Sequence, residues 1–412
     1  MPRIDSPHGR IEIPAPPDPG KGPPRAGLDN LPSMLELVRA RRVGLIVNHT
    51  SVTAAGAHVL DALPALGADV RVLFTPEHGL LGTEEAGART SNGTHRGVKV
   101  VSLYGAKRAP APEDLAGLDL LVFDIQDVAC RFYTYITTMA MAMEKAAAAG
   151  LPFLILDRPC LAGGTEVAGP VLRPECKSFV GYLPLPIAYG MTAGELGAMA
   201  VAEGWLGGGH ALTVVPLAGW RRGPPAPASN ALARPPSPNL PTIDAVIAYA
   251  GMCLLEATNI SEGRGLDTPF LTVGAPWIEG KALAADLAAR NLPGAAFSPA
   301  VFTPRPIPGK ALSPKYAGER CEGVTLAIAD RARFQSVRTG LEVLRAAIAR
   351  WPDRVTINDR GFARLAGVED LHARLKHGET ATAILASYEP ELAAFRARRK
   401  KYLQYPEPVH IR

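Results

Sequence analysis

Leu120-Leu121-Val122-Phe123-Asp124-Ile125-Gln126-Asp127 runs apolar for four residues and then turns acidic. A strand that is apolar at successive positions, not alternate ones, is buried on both faces, as in the centre of a parallel sheet covered by helices. Residues 43–47, 70–74, 98–103, 153–156 and 212–215 have the same character. Between them lie helical stretches at 54–66, 135–149 and 192–203. The last opens with a capping box, Thr192 followed three residues later by Glu195. Strands alternating with helices make residues 31–236 a doubly wound α/β domain with a mainly parallel sheet.

Outward from that domain the pattern changes. Residues 221–238 are rich in proline and alanine and read as a domain junction. Beyond them come a helix at 243–256, a long loop at 258–276, a Pro-dotted stretch to Pro314, a strand at 324–329 and helices at 337–350 and 390–402. Residues 237–412 are therefore expected to form a smaller α+β C-terminal domain that contributes to a cleft. Residues 1–30 carry Pro and Gly but no apolar segment like that of a signal peptide, and are expected to be a disordered or draped lead-in. As written, that places the protein in the cytoplasm; a start further upstream would allow export.

Composition excludes several classes. Of 412 residues, 47% are hydrophobic and 20% charged, ordinary for a chain with a proper core. The 41 glycines and 39 prolines exceed the usual share and point to disorder or to many structured loops. No apolar run approaches the roughly 18–20 residues of a membrane span. The net charge is +5, and the dense basic run Arg396-Ala397-Arg398-Arg399-Lys400-Lys401 reads as the solvated face of a terminal helix. No basic stripe with interleaved aromatics is present, so nucleic acid is not an expected partner. Five cysteines without a C-x-x-C pair give neither a structural zinc site nor a disulfide framework.

In an open parallel sheet, ligands bind beyond the carboxyl ends of the strands. Asn48-His49-Thr50 follows the run at 43–47, and Pro76-Glu77-His78-Gly79 follows the run at 70–74. Asp124 and Asp127, then Arg131-Phe132-Tyr133-Thr134-Tyr135, follow the run at 120–123, and Asp157-Arg158-Pro159 follows the run at 153–156. Asp or Asn after a strand often caps the next helix. Glu77 and His78 are least explained that way, because Gly79 and Gly82 break the chain there. Asp157 and Arg158 read as a buried salt bridge at the sheet edge. There is no G-x-G-x-x-G after the first strand, no P-loop and no G-x-S-x-G. What remains is paired carboxylates with aromatics and arginine, the equipment of glycoside hydrolysis. Phe132, Tyr133 and Tyr135 suit stacking on a sugar ring, and Arg131 suits an anionic substituent. Asn259, Glu262 and Arg264 sit in a glycine-flanked loop where backbone can approach a ligand, and Asn239 is either part of a rigid connector or of a site rim. His49, His78 and Asp124 leave a metal-dependent hydrolase open as an alternative, and a non-catalytic amino-sugar binder is another.

The chain resembles the exo-β-N-acetylmuramidase family, formerly a domain of unknown function, whose members act on peptidoglycan fragments. The resemblance rests on residues 44–51, Pro76-Glu77-His78-Gly79, residues 122–128 with Arg131 to Tyr135, and Leu156-Asp157-Arg158-Pro159. It continues through Gly190-Met191-Thr192, Ser237-Pro238-Asn239, Thr258-Asn259, residues 261–265 and Tyr402-Leu403-Gln404-Tyr405. It implies a Rossmann-like N-terminal domain and removal of N-acetylmuramic acid from non-reducing ends, with a small amino-sugar or muropeptide substrate and no cofactor or metal. It makes Glu77 the candidate general acid, and Asp124 or Asp127 the second carboxylate or the group that positions the N-acetyl substituent. The substrate's acetamido group could supply the nucleophile, and Arg131 or Arg264 could pair with the lactyl carboxylate. Cys160-Leu161, Tyr189 and residues 266–271 depart from the family's usual residues near the expected rim.

Overall fold

The computed structural model describes residues 3–15, 24–85, 87–88, 90–224 and 234–407. Nine strands form one sheet: β1 (Arg3–Ser6), β2 (Gly9–Glu12), β3 (Arg42–Val47), β4 (Asp69–Thr75), β5 (Gly93–His95), β6 (Val98–Ser102), β7 (Leu120–Asp124), β8 (Phe153–Leu156) and β9 (His210–Val215). Their order is β1-β2-β9-β8-β7-β3-β4-β6-β5. From β2 to β6 every neighbouring pair is parallel. Only the edge pairs β1–β2 and β5–β6 are antiparallel.

The continuous apolar runs have the cause expected of them. Alternate residues along each strand enter two different cores. Ile46, Phe74, Leu121, Phe123 and Ile155 face one, while Leu45, Leu73, Val122 and Leu154 face the other. The first core does not stop at the sheet. It continues through Tyr249, Phe270 and Leu341, so the C-terminal half packs against that face.

The second half is built around a three-stranded antiparallel sheet, β10 (Thr272–Ala275), β11 (Ala295–Phe302) and β12 (Cys321–Ile328), in the order β10-β12-β11. Strands β10 and β11 fall where a loop and a Pro-dotted stretch were expected. Pro299 is accommodated because β11 pairs with β12 alone, leaving it an edge strand. Helix Ile243–Met252 meets helix Ser336–Arg350 at Gly251 and Gly340. A methyl group on Gly251 would stand 1.9 Å from the Ser336 carbonyl oxygen, so only glycine allows this approach.

Of the disordered or draped lead-in that was expected, the described part is ordered. Residues 3–12 form the β1–β2 hairpin, and β2 extends the sheet beside β9. Ile11 is fully buried there, and a hairpin this short shows too little alternation to be read as strand. Residues 1–2 and 16–23 of that lead-in, and 225–233 of the proposed junction, lie outside the described residues. Among the described residues no helix is long and apolar enough to cross a membrane.

Candidate active site

Strand β3 is where the sheet order reverses: the chain proceeds to β4 and β6 on one side and to β7, β8 and β9 on the other. The carboxyl ends of β3 and β7 should then flank a crevice. In this fold they are filled by polar scaffolding. Asp124 is fully buried, and Arg158 donates to both its oxygens, from Nε at 2.5 Å and from Nη2 at 3.0 Å. Asn48 is fully buried, its Oδ1 accepting from the Thr50 backbone at 2.9 Å and hydroxyl at 2.6 Å. Thr50 in turn accepts from the Gln126 backbone N–H at 3.0 Å. The expected Asp157–Arg158 bridge is thus replaced by Asp124–Arg158. Asp157 instead accepts from Thr192, the Gly194 backbone and Tyr405.

The main cavity lies beside this scaffolding, over the ends of β4 and β6, with a volume of about 390 Å³. That is within the range of small-molecule sites. Loops after β4, β6 and β7 supply Glu77, Tyr104 and Thr134. The C-terminal half supplies Asn239, Tyr249, Glu256, Arg264 and Phe270. One wall is aromatic. Tyr249 packs edge-on against Phe132, Tyr133 and Phe270, with ring centroids at 5.3, 5.9 and 4.9 Å. Across the opening, the Leu312 backbone N–H donates to Glu85 Oε1 at 2.6 Å, joining the loop after β4 to the C-terminal half.

Glu77 is held on both oxygens. Oε1 accepts from the Gly87 backbone N–H at 2.7 Å, and Oε2 from the Thr134 hydroxyl at 2.7 Å. Thr134 is the N-cap of helix Tyr135–Ala148, so the carboxylate stands at the positive end of that helix. Tyr104 lies against it; burial, with Glu77 beside it, pushes the Tyr104 phenol up to about 12, so that it remains a donor at neutral pH. The turn that presents Glu77 is set by its neighbour. His78 has a left-handed φ of 70°, and its Nδ1–H donates to the Glu84 carbonyl at 2.7 Å. Burial pulls the imidazole of His78 below its ordinary value, against the opposing effect of Glu77, so the neutral ring is a structural strut.

Glu256 is a further carboxylate of the cavity, besides Glu77 and Glu85. Arg264 donates to its Oε1 from Nη2 at 2.6 Å and also approaches Glu262 at 3.5 Å. Burial opposes charge on this arginine, yet the two glutamates more than offset it and raise its affinity for its proton. Glu262 is itself buried and pairs with Lys315 at 2.9 Å, so it orders the floor beneath Arg264.

Of the residues singled out by sequence, the fold brings Glu77, His78, Phe132, Tyr133, Asn239 and Arg264 to the cavity. The others stand outside its lining. Asp127 is buried, accepting from Tyr189 and, at 2.7 Å, from the Ala129 backbone, and burial pushes its carboxyl up to about 6. Neither Asp124 nor Asp127 is placed as the partner of Glu77. Arg131 is fully buried and donates to the carbonyls of Pro170, Leu185 and Leu365 at 2.7, 2.8 and 2.7 Å, which leaves it unavailable to a ligand. Tyr135 lies behind Tyr133, and both hydroxyls donate to the Pro236 carbonyl. Asn259 ties its loop to residues 354–356. His49 Nε2–H donates to the Pro235 carbonyl at 2.8 Å, and its ring packs on Gly82, where a Cβ would stand 2.0 Å from Nδ1. His49, His78 and Asp124 therefore have separate partners, and no three metal-ligating side chains gather among the described residues.

Tyr104, Thr134, Tyr249 and Glu256 are lining residues that sequence reasoning passed over. A signal for two of them exists. Tyr249, Cys253 and Glu256 are spaced four and three apart along an otherwise apolar helical segment, which puts a lone carboxylate on the same face as an aromatic ring.

Comparison with known proteins agrees with this architecture. Residues 43–244 match the family model described as exo-β-N-acetylmuramidase NamZ, N-terminal, and residues 247–405 match its C-terminal counterpart. The peptidoglycan β-N-acetylmuramidase NamZ of Bacillus subtilis (strain 168) is 40% identical over 387 residues, covering 92% of this chain and 91% of that protein. Two crystal structures of DUF1343 family proteins from Bacteroides fragilis, each 30% identical, superpose with TM-scores of 0.84 and 0.78. They cover 93% and 94% of this chain, and 99% and 100% of their own.

Proposed function

The chain belongs to the exo-β-N-acetylmuramidase family, and on that premise we propose that it is a glycoside hydrolase releasing N-acetylmuramic acid from the non-reducing end of peptidoglycan-derived fragments. The observation that carries the reading is Glu77, fixed on both oxygens at the edge of a cavity with an aromatic wall.

The chemistry follows from that placement. The sugar's apolar face packs on the wall at Tyr133 and Tyr249, with the fully buried Phe270 backing Tyr249. Glu77 protonates the glycosidic oxygen as the bond to the anomeric carbon breaks, and takes a proton back from the water that completes hydrolysis. Positive charge develops at the anomeric carbon in the transition state. Glu256, ion-paired with Arg264, is the second carboxylate and stabilises that charge. The Gly87 N–H and Thr134 hydroxyl keep Glu77 in one orientation, which removes a search from the barrier.

The test is a pair of chromogenic substrates, a β-N-acetylmuramide and a β-N-acetylglucosaminide. Release from the muramide, falling about 10²-fold or more in Glu77→Gln, is expected. Folded protein silent on both compounds, or a Glu77→Gln variant with undiminished turnover, would overturn the reading.

A further inference from the structure

N-acetylmuramic acid differs from N-acetylglucosamine by a lactyl ether that ends in a carboxylate, so a site selective for it needs a cation with donors to spare. The cavity lining is poor in such groups. It carries Glu77, Glu85 and Glu256 against Arg264, and Arg264 is occupied by Glu256 and Glu262. Lys315 is bound to Glu262 and to the carbonyls of Leu255 and Ile260. Arg131 is spent on three backbone carbonyls.

Arg108 is differently placed. Its guanidinium lies 4.7 Å from the ring centroid of Tyr104 and 4.3 Å from that of Phe179, and the two rings are 5.7 Å apart. Its neighbours Lys99 and Lys107 both pair with Asp114, whereas Arg108 pairs with no carboxylate among the described residues. Tyr104 lines the cavity and touches Glu77, and Val180, next to Phe179, lines it too. Arg108 is half-buried and stands just outside the cavity lining, behind Tyr104 and one ring away from the candidate acid. Stacking fixes the plane of a guanidinium and leaves its edge N–H groups to make a forked pair with a carboxylate.

Resting on the muramidase reading, we propose that Arg108 is a specificity-determining residue that takes the lactyl carboxylate of the substrate. Tyr104 links the two functions: Arg108 lies over its ring, and both Arg108 and Glu77 bear on its phenol. A sugar anchored by its carboxylate at Arg108 presents its glycosidic bond on the Glu77 side.

The experiment measures binding of N-acetylmuramic acid and of its methyl ester by calorimetry, in the wild-type protein and in Arg108→Gln and Arg108→Lys. The wild type should bind the free acid about tenfold or more tighter than the ester, the scale of a hydrogen-bonded charge pair. Arg108→Gln should bring that ratio close to one, and Arg108→Lys should restore part of it. Because the ratio is internal to each variant, partial unfolding does not mimic the effect. A wild type that binds acid and ester alike, or an Arg108→Gln variant that keeps the wild-type ratio, overturns the assignment. Turnover of the chromogenic muramide by the same wild-type sample separates the two ideas. Turnover without discrimination removes only the role of Arg108. Discrimination that depends on Arg108 without turnover upholds that role and removes the hydrolase.

Discussion

The Thr134 hydroxyl donates to Glu77 Oε2 at 2.7 Å, although Thr134 is an N-cap whose side chain makes no hydrogen bond to its own helix. An N-cap threonine ordinarily accepts from an N–H of the first turn. Here the hydroxyl orients a carboxylate instead. Thr134→Ala should therefore lower kcat about tenfold, with little change in Tm because no capping bond is lost. Thr134→Ser keeps the donor and should stay close to wild type. A Thr134→Ala variant that loses stability but no kcat would return the residue to an ordinary structural role.

Glu256 was not among the carboxylates singled out by sequence, and its role separates from its packing. Glu256→Gln keeps the shape and leaves Arg264 paired with Glu262. If Glu256 stabilises charge at the anomeric carbon, kcat/KM for the muramide should fall about 10²-fold, most of it in kcat. A change confined to KM would instead make Glu256 a binding group.

Asp124 and Arg158 should behave in the opposite way. They form a bidentate pair in which the carboxylate is fully buried, and removing one partner leaves an unpaired buried charge. Asp124→Asn should cost about 3–5 kcal/mol of folding stability. Turnover per folded molecule should be retained, because Asp124 lies outside the cavity lining. Urea denaturation combined with active-site normalised rates checks both halves, and a selective loss of kcat would put Asp124 back among the catalytic groups.

The fold was legible in the runs around β3 and β7 because both faces of those strands are buried, and unbroken apolar strands between helices mark a parallel sheet covered on both sides. Glu77 was legible for a related reason: a carboxylate followed by His78-Gly79 neither continues a strand nor starts a helix. Asp124, Asp127 and Arg131 carried the same outward signal but serve the interior. Residue type and strand-end position cannot distinguish a carboxylate aimed at a cavity from one turned toward Arg158 or Tyr189. That difference is a matter of side-chain direction, fixed by packing with segments far away in sequence. Glu256 and Tyr249 were hidden because their face of the helix gains its meaning only when the C-terminal half closes over the sheet. The β1–β2 hairpin was hidden by brevity, since four-residue strands bury only enough side chains to show when β9 is beside them.

Asp127 offers a test of buried scaffolding through pH. Burial raises its folded-state value to about 6, above its ordinary value of 3.8. The folded protein thus holds this proton more tightly than the unfolded chain does. The associated stabilisation is fully present below about pH 4, and is lost as pH rises through about 6. The shift corresponds to roughly 3 kcal/mol, taking 1.36 kcal/mol per unit. Asp127→Asn removes the titration, so its stability should lack this component of the pH dependence. Wild type should gain on Asp127→Asn by about 2 kcal/mol between pH 7 and pH 4.5, the part of that shift developed by pH 4.5, as read by urea denaturation at the two values. Curves for the two proteins that stay parallel across that interval would mean that Asp127 is ionised in the folded state throughout, with Tyr189 and the Ala129 N–H compensating its burial.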